Sequence, residues 1–93
     1  MIKSFKCKEA EKIYWGKSSR KLPVDIHKRA KIKLDMLEAA QEKLDLKSPP
    51  SNHLEELKGD YNGFLSIRIN KQFRLVFRFE NGNAYDVHII DYH

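Results

Sequence analysis

The last third of the chain alternates apolar and polar residues with the period of a β-strand. Residues 64–70 (Phe-Leu-Ser-Ile-Arg-Ile-Asn) and 73–79 (Phe-Arg-Leu-Val-Phe-Arg-Phe) place an aliphatic or aromatic side chain at nearly every second position. This alternation is typical of half-buried strands. Asn81-Gly82 is a preferred hairpin turn and leads into a third predicted strand over 84–90. The pattern predicts an antiparallel meander with one apolar face and one face rich in arginine.

Upstream of the meander the pattern favours helices. Residues 2–6 alternate and are predicted to form a short first strand, and residues 9–15 a short helix that ends at Gly16. Apolar residues then recur every three or four positions, which predicts a long helix over 24–43. Pro49-Pro50 excludes further helix. The apolar stripe of the long helix contains Ile26, Ala30, Leu34, Leu37 and Leu44, and its polar face Lys28, Arg29, Lys31, Lys33, Glu38 and Glu42.

The order of these elements, β-α-α-β-β-β, predicts an α+β fold in two layers. Two helices in the N-terminal half would pack on one face of a small, mainly antiparallel β-sheet. The 93 residues fit a single domain, 1–93, with one modest core. We expect Leu34 and Leu37 to contact the apolar face of the sheet, because the helix stripe and that face have no other partner.

The charge of the chain is positive and unevenly distributed. Lysine and arginine number 18 against 13 acidic residues, and residues 1–33 alone carry 11 against 3. A basic domain tends to bind a polyanion such as nucleic acid, but the same balance also keeps a small protein soluble, and charge alone favours neither interpretation. The chain shows no signal peptide and no membrane span, so we expect a cytoplasmic protein without membrane contact.

Residues in and before the C-terminal strands offer acid–base chemistry around an anion. Cleavage of RNA without a metal needs a base at the ribose 2′-OH, an acid at the leaving oxygen and cations around the phosphate. Arginine forks fit phosphate oxygens, and histidine and aspartate can exchange or direct protons. For the arginines a solvated strand face is the alternative, and for the last residues a frayed terminus. The candidates are Lys58, Arg68, Arg74, Arg78, Asp91, Tyr92 and His93.

Other sites are not predicted. The four histidines lack metal-ligand spacing, and a lone Cys7 cannot form a disulfide or a cysteine cluster, so we expect neither metal nor cofactor. His53 is expected to be a surface residue. Trp15 could stack on a base, but an aromatic residue on a short helix is more often part of the core.

Over essentially its whole length the chain resembles the HigB-type toxins, the plasmid-maintenance killer proteins of the RelE/ParE superfamily. The terminal Asp-Tyr-His after a strand and the Ser-Ile-Arg…Arg-Leu hairpin are its most specific parts. The segments that carry the resemblance are Met1-Ile2-Lys3-Ser4-Phe5, Leu46-Lys47-Ser48-Pro49-Pro50, Leu54-Glu55-Glu56-Leu57-Lys58-Gly59, Ser66-Ile67-Arg68-Ile69-Asn70, Phe73-Arg74-Leu75 and Val87-His88-Ile89-Ile90-Asp91-Tyr92-His93.

The resemblance implies a RelE-like microbial RNase fold and the toxin of a type II toxin–antitoxin system. Such a toxin is a ribosome-dependent, metal-independent mRNA endonuclease that cuts codons in the A site of the 70S ribosome. A cognate helix-turn-helix antitoxin would neutralise it. By position, Asp91 and His93 would be the acid–base pair with Tyr92 packed or orienting nearby. Lys58, Arg68 and Arg74 would hold the mRNA phosphates, with Lys58 also counted in the catalytic set. Apart from the resemblance, we count Lys71 and Arg78 as further candidates for phosphate binding.

Two alternatives stay open at this point. One is a ParE-like toxin of the same fold that inhibits DNA gyrase by binding it. The other is a non-catalytic basic module that binds RNA without cutting it. The Asp-Tyr-His end favours the endonuclease over the gyrase toxin, because the ParE branch does not rely on it.

Overall fold

A computed structural model describes residues 1–92 and confirms the α+β fold, with two helices and a four-stranded antiparallel sheet. The sheet order is β1-β2-β3-β4. Short 3₁₀ turns lie at 24–26, 43–47, 50–52 and 59–61. The helices are α1 (Lys8–Tyr14) and α2 (His27–Ala39), and the strands are β1 (Glu55–Glu56), β2 (Leu65–Arg68), β3 (Phe73–Glu80) and β4 (Asn83–Asp91).

The core lies between α2 and the sheet, as the apolar stripe predicts. Leu34 and Leu37 are fully buried in one cluster with Ile67, Leu75 and Phe77. β2 and β3 pair with Ile67 opposite Leu75, which places these side chains side by side on the helix-facing surface. The packing of the long helix on the meander is therefore confirmed.

The end of α2 differs from the prediction, because the helix stops at Ala39 rather than at residue 43. Ala40 is extended, and the Asp45 carboxylate accepts hydrogen bonds from the backbone amides of Gln41 and Glu42 at 2.9 and 3.0 Å. This cap starts a separate 3₁₀ turn instead of continuing α2. In consequence Leu46 is buried and Leu44, predicted in the stripe, is 65% exposed. Neither helix in residues 1–92 is long and apolar enough to cross a membrane.

The predicted first strand forms only two isolated parallel bridges to β4, Ile2 with Ala84 and Phe5 with Val87. Between them β4 bulges at Asp86, whose φ of 54° is left-handed, and the register with β3 shifts there. The Ser4 hydroxyl accepts a hydrogen bond from the Asp86 amide at 2.9 Å across this gap. The bulge therefore explains why the N-terminal segment follows β4 without forming a regular ladder with it.

Trp15 was expected in the core and is instead 66% exposed. It caps the C-terminus of α1, and its ring meets Tyr14 edge-on with 5.1 Å between centroids. Gly16 follows with a φ of 80° and ends the helix as predicted. The helix is thus seven residues long, and the indole lies beyond the face that α1 presents to the core.

The sheet surface opposite α2 carries a buried histidine. His88 is 5% exposed and packs against Tyr61 and Phe64, each with 5.8 Å between ring centroids. Its Nδ1 lies 2.7 Å from the Asp86 carbonyl oxygen, and its Nε2 is buried with no hydrogen-bond partner in the described part of the chain. Burial lowers the pKa of His88 below its ordinary 6.5, although the Asp86 carbonyl acts in the opposite direction.

Truncation of the α2 stripe tests the packing of the helix. Leu37→Ala should lower the free energy of unfolding by about 2–5 kcal/mol, because it leaves a cavity at a fully buried position. Urea denaturation at neutral pH measures the change. Lys28→Ala, an exposed residue of the same helix, is the control and should stay within about 0.5 kcal/mol of the wild type. Equal stability of the two variants would show that α2 is not docked at Leu37.

His88 should make stability depend on pH. Because its pKa is lower in the folded state, the unfolded chain binds the proton first as pH falls through about 6.5. Stability should therefore decrease from pH 7.5 to 5.5, and His88→Phe should reduce this decrease because the ring no longer titrates. Urea midpoints of both proteins at the two pH values measure it. The same pH dependence in both would contradict a buried neutral His88.

Candidate functional site

The centre of the candidate site is Arg74, which is buried although the sequence favoured an exposed arginine face. Arg74 stands opposite Arg68 of β2 and Ile90 of β4, and only 6% of its surface is accessible. Its Nε donates to the Ser66 hydroxyl at 2.7 Å, and its Nη2 donates to the His53 carbonyl. The alternation of β3 does put Arg74 on the face away from α2, but residues 53–55 and the chain end cover it there.

The left-handed backbone conformation of His53 positions its carbonyl oxygen for the contact with Arg74. Residues 50–52 form a 3₁₀ turn, and His53 ends it in the left-handed conformation with a φ of 44°. The turn directs the His53 carbonyl oxygen to the Arg74 guanidinium. Glu55, the first residue of β1, adds a carboxylate 3.9 Å from Arg74 Nη1. The loop before β1 and the strand β2 are therefore both tied to a single guanidinium.

The chain end lies on the same guanidinium. The ring centroid of Tyr92 is 5.4 Å from the Arg74 guanidinium carbon, which is a cation–π contact. Asp91 stands opposite Phe73 in the ladder, and its carboxylate accepts a hydrogen bond from the Gln72 side-chain amide at 2.9 Å. The structure thus brings Arg74, Asp91 and Tyr92 together at one end of the sheet. His93, the third residue of the predicted set, lies outside the described residues.

Arg74 keeps a charge that its neighbours only partly balance. Burial lowers the pKa of its guanidinium below the ordinary value, while Glu55 and Tyr92 act in the opposite direction. An arginine nevertheless stays protonated in proteins. Its hydrogen-bond acceptors on Ser66 and His53 are neutral oxygens. The Glu55 carboxylate is 46% exposed, and its distance of 3.9 Å is close to the longest that an ion pair allows. The positive charge of Arg74 can therefore attract a phosphate group.

A cleft of about 600 Å³ opens between α2 and the β2–β3 turn, next to this cluster. Among residues 1–92, four that line the cleft are cations, Arg29 and Lys33 from α2 and Arg68 and Lys71 from the sheet side, and none is a carboxylate. His53 lines the cleft, and its carbonyl accepts a hydrogen bond from Arg74, so the cleft lies next to the cluster of Arg74, Asp91 and Tyr92. The lining is completed by Ile32, Ser51, Ile69 and Asn70.

The β2–β3 turn fixes the cations on its side of the cleft. The Asn70 side-chain oxygen accepts hydrogen bonds from the amides of Gln72 and Phe73 at 2.9 and 2.7 Å. Its carbonyl accepts one from Arg68 Nε at 3.1 Å. This asparagine-based turn replaces the strong turn dipeptide that the sequence lacks, and it leaves Lys71 exposed beside the cleft.

Two predicted site residues, Lys58 and Arg78, lie neither in the Arg74 cluster nor in the lining of the cleft. Arg78 lies four residues beyond Arg74 on β3 and pairs with Asp86 at 2.9 Å, with Tyr85 beneath its guanidinium at 6.0 Å. Lys58 is exposed, and within residues 1–92 no hydrogen bond, ion pair or ring contact of its side chain joins it to Arg74, Asp91 or Tyr92.

Arg29, Lys33 and His53 were not predicted as part of the site. Lys33 was placed on the polar face of α2, yet it is 9% exposed. A signal was present, because Lys33 lies three residues after Ala30 and four before Leu37, at the flank of the apolar stripe. His53 offers no comparable signal, since its role in the contact with Arg74 is that of a backbone carbonyl, which any residue has.

Comparison with known proteins gives relatives over the whole chain. Toxin HigB-1 of Vibrio cholerae is 40% identical over 90 residues, which cover 96% of this chain and 95% of the relative. Endoribonuclease HigB of Proteus vulgaris is 33% identical over 93 residues and the full length of both chains. A toxin–antitoxin complex of YoeB and YefM from Staphylococcus aureus contains a chain with a TM-score of 0.60 at 18% identity, covering 100% of this chain and 98% of that one. This last likeness concerns the fold.

The match to a family model spans residues 3–93. The model describes the RelE-like toxin HigB of type II toxin–antitoxin systems. The match includes α2, the whole sheet and the Arg74 cluster, and it agrees with the two relatives that carry the HigB name. The chain therefore belongs to the HigB family of RelE-like toxins.

Proposed function

We propose that this toxin is a ribosome-dependent endoribonuclease that cleaves mRNA at the A-site codon and halts translation. The observation that carries the proposal is the buried Arg74 guanidinium, held by Ser66 and His53, with Tyr92 stacked on it and Asp91 beside it. A fixed cation next to a carboxylate and a tyrosine suits an in-line reaction at a phosphodiester. The name of the Proteus vulgaris relative, an endoribonuclease, supports the same activity.

In the proposed reaction the ribose 2′-oxygen attacks the adjacent phosphorus. The 2′-OH proton leaves to a base, the bond to the 5′-oxygen breaks, and a 2′,3′-cyclic phosphate and a 5′-hydroxyl result. Asp91 and His93 are the proposed acid–base pair, with Gln72 orienting the Asp91 carboxylate. Arg74 would stabilise the negative charge that develops on the phosphorane oxygens, and Tyr92 would fix the guanidinium and the chain end. These groups need no metal or cofactor for the reaction.

Dependence on the ribosome follows from how open the site is. Asp91 and Tyr92 are both exposed, and Tyr92 is 42% accessible. An open surface of this kind can bind phosphates but makes few contacts that orient one ribose for attack. The ribosome would supply that orientation by holding the A-site codon, which can account for a large part of the rate. The basic surface around Arg68 and Lys71 would contact the RNA phosphates.

We also propose a cognate antitoxin as the protein partner, as expected of a chain from a toxin–antitoxin family. The Staphylococcus aureus structure that shares the fold is a toxin bound to its antitoxin. An antitoxin with a helix-turn-helix domain would bind this chain and repress the shared operon. The surplus of cations in residues 1–33 favours an acidic binding segment.

Replacement of the proposed acid–base groups tests the mechanism. Asp91→Asn and, separately, deletion of His93 should each lower the single-turnover cleavage rate on a programmed ribosome by about 10²–10⁴-fold, the usual loss of a general acid or base. Both variants should fold, because Asp91 is exposed and outside the core. Lys28→Ala is the control and should cleave at the wild-type rate. Unchanged cleavage by both variants would leave charge stabilisation by the arginines as the source of rate.

Dependence on the ribosome is tested with one mRNA in two states. Naked mRNA should be cut at least about a hundredfold more slowly than the same mRNA in a programmed ribosome, because the open site does not orient the ribose by itself. Toeprinting should place the cut within or beside the A-site codon. Equally rapid cleavage of naked mRNA, with sites unrelated to the reading frame, would contradict this part of the proposal.

A further inference from the structure

Lys33 is a buried lysine with most of its hydrogen-bonding capacity unused. Its ammonium donates to the side-chain oxygen of Asn52 and, within residues 1–92, to no other group. An ammonium has three donors, and a buried charge is costly unless it is paired. No carboxylate forms an ion pair with Lys33 in the described part of the chain. Arg29, one turn earlier on α2, adds a like charge.

Asn52 explains how the lysine is held in this position. Asn52 is fully buried, and its amide nitrogen donates to the Leu46 carbonyl at 3.1 Å. The side-chain oxygen is thereby directed to Lys33. The lysine is positioned by a neutral acceptor, which leaves its charge uncompensated.

The remaining cations of the cleft are uncompensated as well. Arg29, Arg68 and Lys71 form no ion pair within residues 1–92, whereas Lys31, Lys43 and Arg78 elsewhere each do. Arg68 donates a hydrogen bond to a backbone carbonyl, which is neutral and does not balance its positive charge. A concave surface with four unpaired cations, one of them buried, has the electrostatics of an anion-binding site.

One wall of the cleft is apolar. Ile32 is 44% exposed and lines the cleft together with the buried Ile69. A free inorganic anion gains nothing from such a wall, but a nucleotide presents the apolar faces of its sugar and base next to its phosphate. His53 connects the cleft to Arg74, so a strand bound at Arg74 can continue into it.

We propose that this cleft binds a phosphate of the RNA strand away from the scissile bond, with Lys33 and Arg29 from α2 opposing Arg68 and Lys71. The proposal rests on the proposed function only in taking an RNA strand as the ligand. It assigns α2 a direct part in holding RNA, and it makes Asn52 a positioning residue for the Lys33 ammonium. In this arrangement Arg29 and Lys33 of α2 hold the RNA strand at a phosphate other than the one that is cleaved.

Binding is separated from cleavage by a probe that cannot react. A short 2′-O-methyl RNA oligonucleotide lacks the attacking 2′-OH, and fluorescence anisotropy over a series of salt concentrations gives its affinity. Lys33→Met keeps the apolar stem of the side chain and removes the ammonium. The affinity at low salt should fall about tenfold or more, as for the loss of a hydrogen bond to a charged group. The slope of log affinity against log salt should become shallower by about 0.7, the share of one phosphate contact on a single strand.

Lys28→Met is the matched control, because it removes the same charge from an exposed position of α2 outside the cleft. Its salt slope should equal that of the wild type. A Lys33→Met protein with the slope and affinity of the Lys28→Met protein would overturn the proposal, and so would a wild-type protein that does not bind the oligonucleotide. Inorganic phosphate should compete only weakly. Competition as tight as that of the oligonucleotide would assign the cleft to free anions and reject RNA as its ligand.

A second measurement covers the case in which Lys33→Met does not fold. In the wild-type protein the side-chain NMR resonances of Lys33 should shift on titration with the oligonucleotide, and those of Lys28 should not. Absence of a Lys33 shift at saturation would overturn the proposal independently of any variant. Because the probe is not cut, loss of ribosomal cleavage in Asp91→Asn leaves this result unaffected, and the two proposals can fail separately.

Discussion

The contacts of the buried Arg74 hold together the segments that form the candidate site. Ser66 lies on β2, His53 on the loop before β1, and Tyr92 at the chain end, and all three contact one guanidinium. A buried cation that loses a partner is left with the full cost of its desolvation. The strand β2, the loop before β1 and the chain end are therefore constrained together, which gives this end of the sheet a defined arrangement.

The bulge at Asp86 determines which residues reach that end of the sheet. Ala84 and Val87 both face the core, because the extra residue between them interrupts the alternation of β4. Downstream of it, Ile90 stands opposite Arg74 and Tyr92 falls on the same face. Without the additional residue, the side chains after it would exchange faces and Tyr92 would point away from Arg74. The Asp86 carboxylate at the bulge also pairs with Arg78, which lies four residues beyond Arg74 on β3.

The sequence predicts the helices, the strands and the core better than it predicts the arrangement of the candidate site. Alternation in β2 and β3 and the spacing of Leu34 and Leu37 follow from burial, which repeats along the chain and is visible in it. The end of α2, the bulge and the burial of Arg74 depend on individual hydrogen bonds, which are local at Asp45 and join separate segments at Asp86 and Arg74. The Asp91-Tyr92 pair could be located because strand β4 runs into it. The buried Lys33 was missed because a lysine is expected to be exposed, and His53 because it acts through its carbonyl.

The cations proposed to bind RNA reduce the stability of the fold, because they repel one another. Arg29 and Lys33 are one turn apart on α2, and Arg68 and Lys71 face them across the cleft. Like charges repel more strongly where water is excluded, and the pKa of Lys33 is lowered first by burial and then by Arg29. The free energy lost in this repulsion has to be supplied by the apolar contacts between α2 and the sheet. If the cleft binds RNA as proposed, this free energy is recovered on binding, since a ligand that binds only the folded state stabilises it. The proposed RNA ligand would thus relieve the repulsion between these cations, and the apolar core around Leu34 and Leu37 stabilises the fold in its absence.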